Sequence, residues 1–207
     1  MFGRLHVAPI ALDFLSLHPQ LNLRSHFVDR VVHLLDENFD VAVRFARLAD
    51  SGLAAVRVGS VREVVVALPA YLETHGEPKT PADLQHHVAI GFSQSGAVGA
   101  PWEFHPPGAP RTTFRQLAQP RQRLVANAVE VGIDAALRGQ GLARALSYQV
   151  DEAVRAGKLR VVLAAFEPAQ IPVHVVSVAG RKAPAKVRAF IDFAVERQRR
   201  LPALTND

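Results

Sequence analysis

The chain has 207 residues, 49% hydrophobic and 21% charged, with no cysteine and a formal net charge of +5. That composition suits a folded protein with a sizeable core and argues against disorder. The absent cysteines exclude disulfides, thiolate zinc sites, iron–sulfur clusters and cysteine nucleophiles. The charge is uneven: residues 1–100 hold eight Lys and Arg against ten Asp and Glu, and residues 101–207 hold sixteen against nine. Such a bias suits either an anion-attracting face or a solvated arginine-rich surface. The apolar run Val7–Leu12 is cut short by Asp13, and no stretch approaches the roughly 20 apolar residues of a membrane span. A cytoplasmic protein with no membrane partner is expected.

Leu5, Pro9, Leu12, Phe14 and Leu15 recur at near-helical spacing and predict a helix over Arg4–Leu17, stopped by Pro19. Leu21, Leu23, Ser25 and Phe27 alternate with polar residues and predict a half-buried strand. Asp29 is placed to cap a short helix over Arg30–Glu37. Phe39–Phe45 is the next predicted strand, so the order helix, strand, helix, strand points to an α/β protein with a mainly parallel sheet.

Strands are expected over Leu53–Val58 and Val61–Leu68, around Gly59-Ser60. Pro69 opens a short helix through Leu72, and Pro81-Ala82-Asp83-Leu84 reads as a further helix start with proline in its first turn. Val88–Phe92 is a predicted strand. Ser93–Gly99 is small and polar, and reads as a crossover. Short strands follow over Trp102–His105, Thr112–Leu117 and Leu124–Ala126. Asn127 is placed to cap a helix over Ala128–Arg138, which Gly139-Gln140-Gly141 ends by supplying left-handed backbone freedom. Leu142–Leu146 is a strand, Ser147 caps a helix to Ala156, Leu159–Ala165 and Val173–Val178 are strands, and Pro184–Arg200 is the final helix.

Several phrases, in this order and spacing, carry a family resemblance. Phe39-Asp40-Val41-Ala42-Val43-Arg44, Arg47-Leu48-Ala49-Asp50-Ser51-Gly52-Leu53 and Pro69-Ala70-Tyr71-Leu72 come first. Gly76-Glu77-Pro78, Thr80-Pro81-Ala82-Asp83-Leu84, Trp102-Glu103-Phe104 and Gly139-Gln140-Gly141-Leu142-Ala143 follow. Together with Pro184–Phe193 they make the chain resemble the regulatory domain of LysR-type transcriptional regulators, from about Phe2 to Gln198. The resemblance implies a two-lobed, periplasmic-binding-protein-like (type II) α/β fold with mainly parallel sheets. Lobe one would comprise residues 1–92 and 167–207, and lobe two residues 93–166. The hinge would be two crossovers, near Ser93 and near Phe166.

The resemblance also implies a small, anionic co-inducer bound between the lobes and an antiparallel homodimer, or a higher homo-oligomer, that uses the first helix. The family's winged helix-turn-helix, its linker helix and its first strand have no counterpart in these residues. DNA is therefore expected as a partner only through a domain absent from this chain. A stand-alone solute-binding protein of the same fold and a purely structural oligomerisation module are the rival readings.

Parallel sheets bind ligands outside the carboxyl ends of their strands, where helix N-termini favour carboxylates. Eight residues are placed to supply such contacts: Arg44 and Phe45 at a strand end, Ser93, Gln94 and Ser95 in the first crossover, Asn127 at a strand–helix junction, Phe166 at the return crossover, and Trp102. Five have a plainer reading: a helix cap for Asn127, turn residues for Ser93 and Ser95, an ion pair for Arg44, core for Trp102. Enzyme patterns fail. Gly91-Phe92-Ser93-Gln94-Ser95 lacks the last glycine of a nucleophile elbow. Arg144 stands where a dinucleotide fingerprint needs its third glycine. His86-His87 diverge on a helix and do not form a chelating pair. No catalytic residue, metal or cofactor is expected.

Overall fold

The computed structural model describes residues 1–28, 30, 32–46, 53–93, 100–108, 115–178 and 183–204. Its helices are α1 (Ala8–Leu17), α2 (Pro69–His75), α3 (Val129–Leu137), α4 (Ser147–Arg155) and α5 (Ala185–Arg199). Its strands are β1 (Val41–Phe45), β2 (Ala54–Val61), β3 (Glu63–Ala67), β4 (Val88–Phe92) and β5 (Trp102–Phe104), then β6 (Gln116–Ala118), β7 (Arg121–Ala126), β8 (Leu142–Leu146), β9 (Arg160–Val162) and β10 (Ile171–Ser177). The chain forms two compact units: Met1–Val61 with Ile171–Asp207, and Arg62–Gln170.

The first unit is built on a sheet of order β1-β10-β2, antiparallel throughout. A π-helical turn over Gly3–Val7 leads into α1, with the Ala8 N–H donating to the Gly3 carbonyl. Pro9 has no N–H to donate, so the switch from the wide turn to the α register falls where no bond is lost. Ile10, Ala11 and Phe14 are the buried side of α1. Phe14 meets Phe190 edge-on at 5.2 Å and Phe193 at 5.5 Å, which packs α1 on α5.

Two expectations fail in this unit. Residues 21–28 form no strand despite their alternation. A strand needs a ladder partner for its N–H and C=O groups, and no described segment pairs with this one. The helix expected over Arg30–Glu37 is reduced to a turn that ends at Asn38 in the left-handed region, φ 55°. Asp29, its expected cap, lies outside the described residues. The turn is held instead by Glu37, whose carboxylate accepts from the Arg30 guanidinium and the His33 N–H. These contacts, the Arg30 bond first, hold Glu37 down to a pKa of about 2.

The second unit holds a five-stranded sheet of order β7-β4-β8-β3-β9 and a small β5–β6 ladder. β4 runs parallel to β7 and β8, whereas β3 is antiparallel to β8 and β9. Both faces of the large sheet are buried. On one side, Val65, Ala67 and Leu142 pack with Tyr71, Leu72, Leu84, Trp102 and Phe104. On the other, Val64, Val66, Ala143 and Ala145 pack with Ile133, Ala136, Val150 and Leu159. The uninterrupted Val64-Val65-Val66 run is what a strand covered on both faces requires.

The expected lobe boundary at residues 92 and 93 is therefore corrected. The chain leaves the first unit at Val61 and returns at Ile171. β3 and β4 pair with β8, β9 and β7, so Arg62–Phe92 belongs to the second unit. The break between β2 and β3 falls at Arg62 rather than at Gly59-Ser60. Pro81–His86 is a 3-10 turn with a Thr80–Asp83 capping box, and the Asp83 carboxylate accepts from the Thr80 and Lys79 N–H groups. Strand β6 begins at Gln116; residues 112–114 of the strand expected there lie outside the described residues.

Tyr71, His75 and His87 form a partly buried network under this turn. The Tyr71 hydroxyl accepts from the Val88 N–H at 3.2 Å and lies 3.3 Å from His87 Nδ1. Burial, reinforced by His75, lowers the His87 pKa, and burial likewise lowers that of His6.

Two predictions follow from this packing. Gly141 has φ +141°, and a Cβ there would meet the Val88 carbonyl oxygen at 2.5 Å, whereas at Gly157 (φ +68°) a Cβ would meet nothing. In thermal melts, Gly141→Ala is expected to lose about 2 kcal/mol or more and Gly157→Ala about 1 kcal/mol; equal losses would refute the contact. His6 and His87 set an acid limit. Their folded pKa values lie below the unfolded value of about 6.5, so the unfolded chain takes up protons first. Stability is then full above about pH 6.5 and falls as the pH drops toward the folded values. Urea titrations at several pH values test this, and His87→Gln is expected to shallow the fall.

Candidate functional site

Arg44 sits on β1, the outer strand of its sheet, and is half-buried. One arm of its guanidinium donates to the Val32 carbonyl, and its Nε is buried with no hydrogen-bond partner. None of the ion pairs among the described residues involves Arg44, so the plainer reading of a carboxylate partner is not what the structure shows. Phe45 follows, its ring edge-on to Phe2 at 4.9 Å. Register places Arg44 opposite His174 of β10, and His174 opposite Arg57 of β2. Burial first, then Arg57, lowers the His174 pKa, against a hydrogen bond to Ala46 that favours the charged form. This neighbour of Arg44 was missed by sequence reasoning, because only the β1–β10–β2 pairing reveals it.

In the second unit, Ser93 and Asn127 stand together at the carboxyl ends of the parallel pair β4 and β7. The Ser93 N–H donates to the Ala126 carbonyl at 3.0 Å. Asn127 is exposed and does not cap α3: the capping position is Ala128, with no side-chain bond. Its amide and the Ser93 hydroxyl thus lie beside a helix N-terminus, the place where a parallel sheet presents polar groups to small molecules. Gln94 and Ser95 lie outside the described residues.

Trp102 and Phe166 play other parts. Trp102 is 5% exposed within the core of the second unit, so its ring is a packing element and offers no surface to a ligand. Phe166 ends the 3-10 turn Ala164–Phe166, packs against the same core, and its carbonyl accepts from the His105 N–H. Of the described candidates, Arg44 and Phe45 belong to the first unit, and Ser93, Trp102, Asn127 and Phe166 to the second.

Sequence reasoning also missed a clasp where the chain enters and leaves the second unit. The Arg62 guanidinium reaches both Glu167 carboxylate oxygens, at 3.0 and 3.1 Å. The Arg62 N–H donates to the Ser147 hydroxyl, and its carbonyl accepts from the Ser147 N–H. Among the described residues no group of three or more His, Asp or Glu side chains is placed to hold a metal ion. The Arg44 guanidinium is a donor only, whereas the His174 imidazole, the Asn127 amide and the Ser93 hydroxyl can each donate and accept.

Residues 1–199 match the family profile described as the LysR substrate binding domain. An HTH-type transcriptional regulator of Haemophilus influenzae is 30% identical over 190 residues, covering 90% of this chain and 62% of that protein. The regulator CrgA of Neisseria meningitidis serogroup C is 28% identical, covering 92% of this chain and 62% of its own length. The chain thus spans less than two thirds of the length of these relatives. The solved regulatory domain of CrgA from Neisseria meningitidis, described as a LysR-type transcriptional regulator, superposes with a TM-score of 0.75 at 26% identity, covering 95% of this chain and 94% of that one. The regulatory domain of AphB from Vibrio vulnificus shares the fold, with a TM-score of 0.75 at 24% identity over 91% of this chain and 90% of that one. These relatives are transcriptional regulators, not enzymes. The two-unit α/β fold, the polar strand ends and a match over nearly every residue agree: the chain belongs to the LysR substrate binding domain family, the effector-binding domain of LysR-type regulators.

Proposed function

We propose that the chain senses a small organic anion on behalf of a LysR-type regulator, and pairs with a second copy of itself to pass the signal on. The regulator would work in the cytoplasm and meet DNA through a helix-turn-helix domain outside these residues. The observation that carries the anion is Arg44: a half-buried guanidinium with an unpartnered buried Nε and no described carboxylate beside it. A buried donor without an acceptor costs about 1–3 kcal/mol, which a bound carboxylate would return. An effector shifts an equilibrium only as far as it favours one arrangement over the other, so sensing requires two arrangements of different affinity.

The support for pairing is exposed apolar surface. α1 leaves Leu12 and Leu17 at 65% and 63% exposure, and the α3 and β7 region leaves Val131 and Leu124 at 41% and 44%. Apolar residues gathered on a helix and on an edge strand suit a face that another chain covers.

Calorimetry of the 207-residue chain against carboxylates and aromatic acids tests the sensor reading. At least one compound is expected to bind with a Kd between about 1 μM and 1 mM, and Arg44→Gln is expected to weaken it about tenfold or more. Silence across the panel from a folded sample would favour the structural module instead. Sedimentation tests the pairing: the parent chain is expected to run as a dimer or larger, and Leu12→Asp as a monomer with an unchanged melting profile. A monomeric parent at about 100 μM would remove the pairing reading.

A further inference from the structure

The antiparallel register of the first unit lines up Arg44, His174 and Arg57 across three neighbouring strands. Directly opposed residues of antiparallel strands point to the same face, with their Cβ atoms about 5 Å apart. The three side chains therefore form one row. Like charges directly opposite one another destabilise a sheet, so Arg44 and a charged His174 ring favour a negative charge beside them. Neither the described ion pairs nor the groups acting on His174 include a carboxylate for Arg44 or His174. The charged group that acts on His174 is Arg57; Arg44 stands opposite it on β1 by register, and from α5, Arg199 donates to the Arg57 carbonyl.

Two atoms in this row are buried without a hydrogen-bond partner, Arg44 Nε and His174 Nδ1. Buried polar atoms in native proteins are paired in the great majority of cases, and each exception calls for an explanation. The two differ in kind. Arg44 Nε always carries a hydrogen, whereas His174 Nδ1 carries one in the charged ring and in only one of the two neutral tautomers. An anion beside the row favours the charged ring. Arg57, the exposed member of the row, is where an incoming anion would first be met.

We infer that the Arg44–His174–Arg57 row is a binding site for a small oxyanion, a carboxylate or phosphate group, and that binding favours uptake of a proton from solvent by the His174 ring. This deepens the anion-sensing reading and rests on it for biological meaning. It adds that occupancy depends on acidity and that the contacts lie within the first unit.

The test is a nuclear magnetic resonance titration of the His174 ring in the 207-residue chain, its signal assigned by its loss in His174→Gln. The pH is varied from about 8 to 5 in chloride, in propionate and in inorganic phosphate at matched ionic strength. Propionate or phosphate is expected to raise the His174 midpoint by about half a unit or more over chloride. Propionate affinity is expected to rise about twofold or more from pH 7.5 to pH 6. Arg44→Gln is expected to remove both effects, and if that variant does not fold the parent titration decides alone. A response to propionate only, or to phosphate only, assigns the headgroup. A His174 midpoint that is the same in all three salts overturns the site.

Failure of this site is distinguishable from failure of the sensor reading. An effector that binds by calorimetry yet leaves His174 unmoved, with affinity unchanged in Arg44→Gln, removes the row and keeps the sensor. Anion-dependent movement of His174 with no effector in the panel does the reverse.

Discussion

Ile171–Ser177 is the centre strand of its sheet, hydrogen-bonded to Val41–Phe45 on one side and Ala54–Val61 on the other. Its core-facing residues Val173 and Val175 are essentially inaccessible, and its neighbour Val176 is equally buried. A strand so placed cannot be left out. Without it β1 and β2 would lose their shared partner, and α5 much of the surface it packs on. The chain must therefore return to the first unit after building the whole of the second, and that obligation produces the two crossings. One crossing follows Val61 and the other precedes Ile171, residues that face each other at the last rung of the β2–β10 ladder. The crossings are adjacent because the register makes them so.

The second unit answers with its own constraint at the same place. Arg62, the first residue past the crossing, is fixed through both backbone groups to Ser147 and through its guanidinium to Glu167. Glu167 is mostly buried while Arg62 keeps more contact with water. An ion pair with an exposed partner contributes little by itself. Removing Arg62 is costlier than that figure suggests, since a mostly buried carboxylate would lose its counter-charge. The clasp thus defines where both segments leave the second unit, even if its net contribution to stability is small.

Legibility in the sequence followed a physical rule. Elements whose signal is local were read correctly in kind and nearly in extent: α1 and α5 from apolar spacing, β4 and β8 from short apolar runs, the end of α3 from Gly139-Gln140-Gly141. Elements whose existence depends on a distant partner were not. Leu21–Phe27 carries a strand's alternation, but alternation does not supply a ladder. The boundary between the units was misplaced by some 30 residues, because the successive strands expected over Leu53–Val58 and Val61–Leu68 give no sign that they join different sheets. Trp102 gave no sign of whether it faced core or ligand, and burial decided it. Asn127 satisfied the residue preference for a cap yet lies one position before the capping site. At the site, Arg44 was legible as the polar end of a β-strand. His174, in the apolar phrase Ile171-Pro172-Val173-His174-Val175, was not, because cross-strand register is invisible along a single chain.

Charge shows the same division between composition and position. Several arginines in the basic half of the chain are matched by carboxylates. Arg138, Arg155 and Arg200 pair with Asp134, Asp151 and Glu196 one helical turn away, and Arg197 reaches Asp13 while lying over Phe193. Exposed pairs of this kind are screened by salt and contribute a few tenths of a kcal/mol. Arg144, mostly buried, is matched by Glu63 and by the Glu103 carbonyl. Arg44 lies in the half of the chain where acidic residues outnumber basic ones, and it alone of these is part-buried with only a carbonyl for company. Net charge therefore does not locate the unmatched donor. Low access to water combined with an unmatched donor, as at Arg44, is the setting in which one anion contact would be worth more than several at the surface.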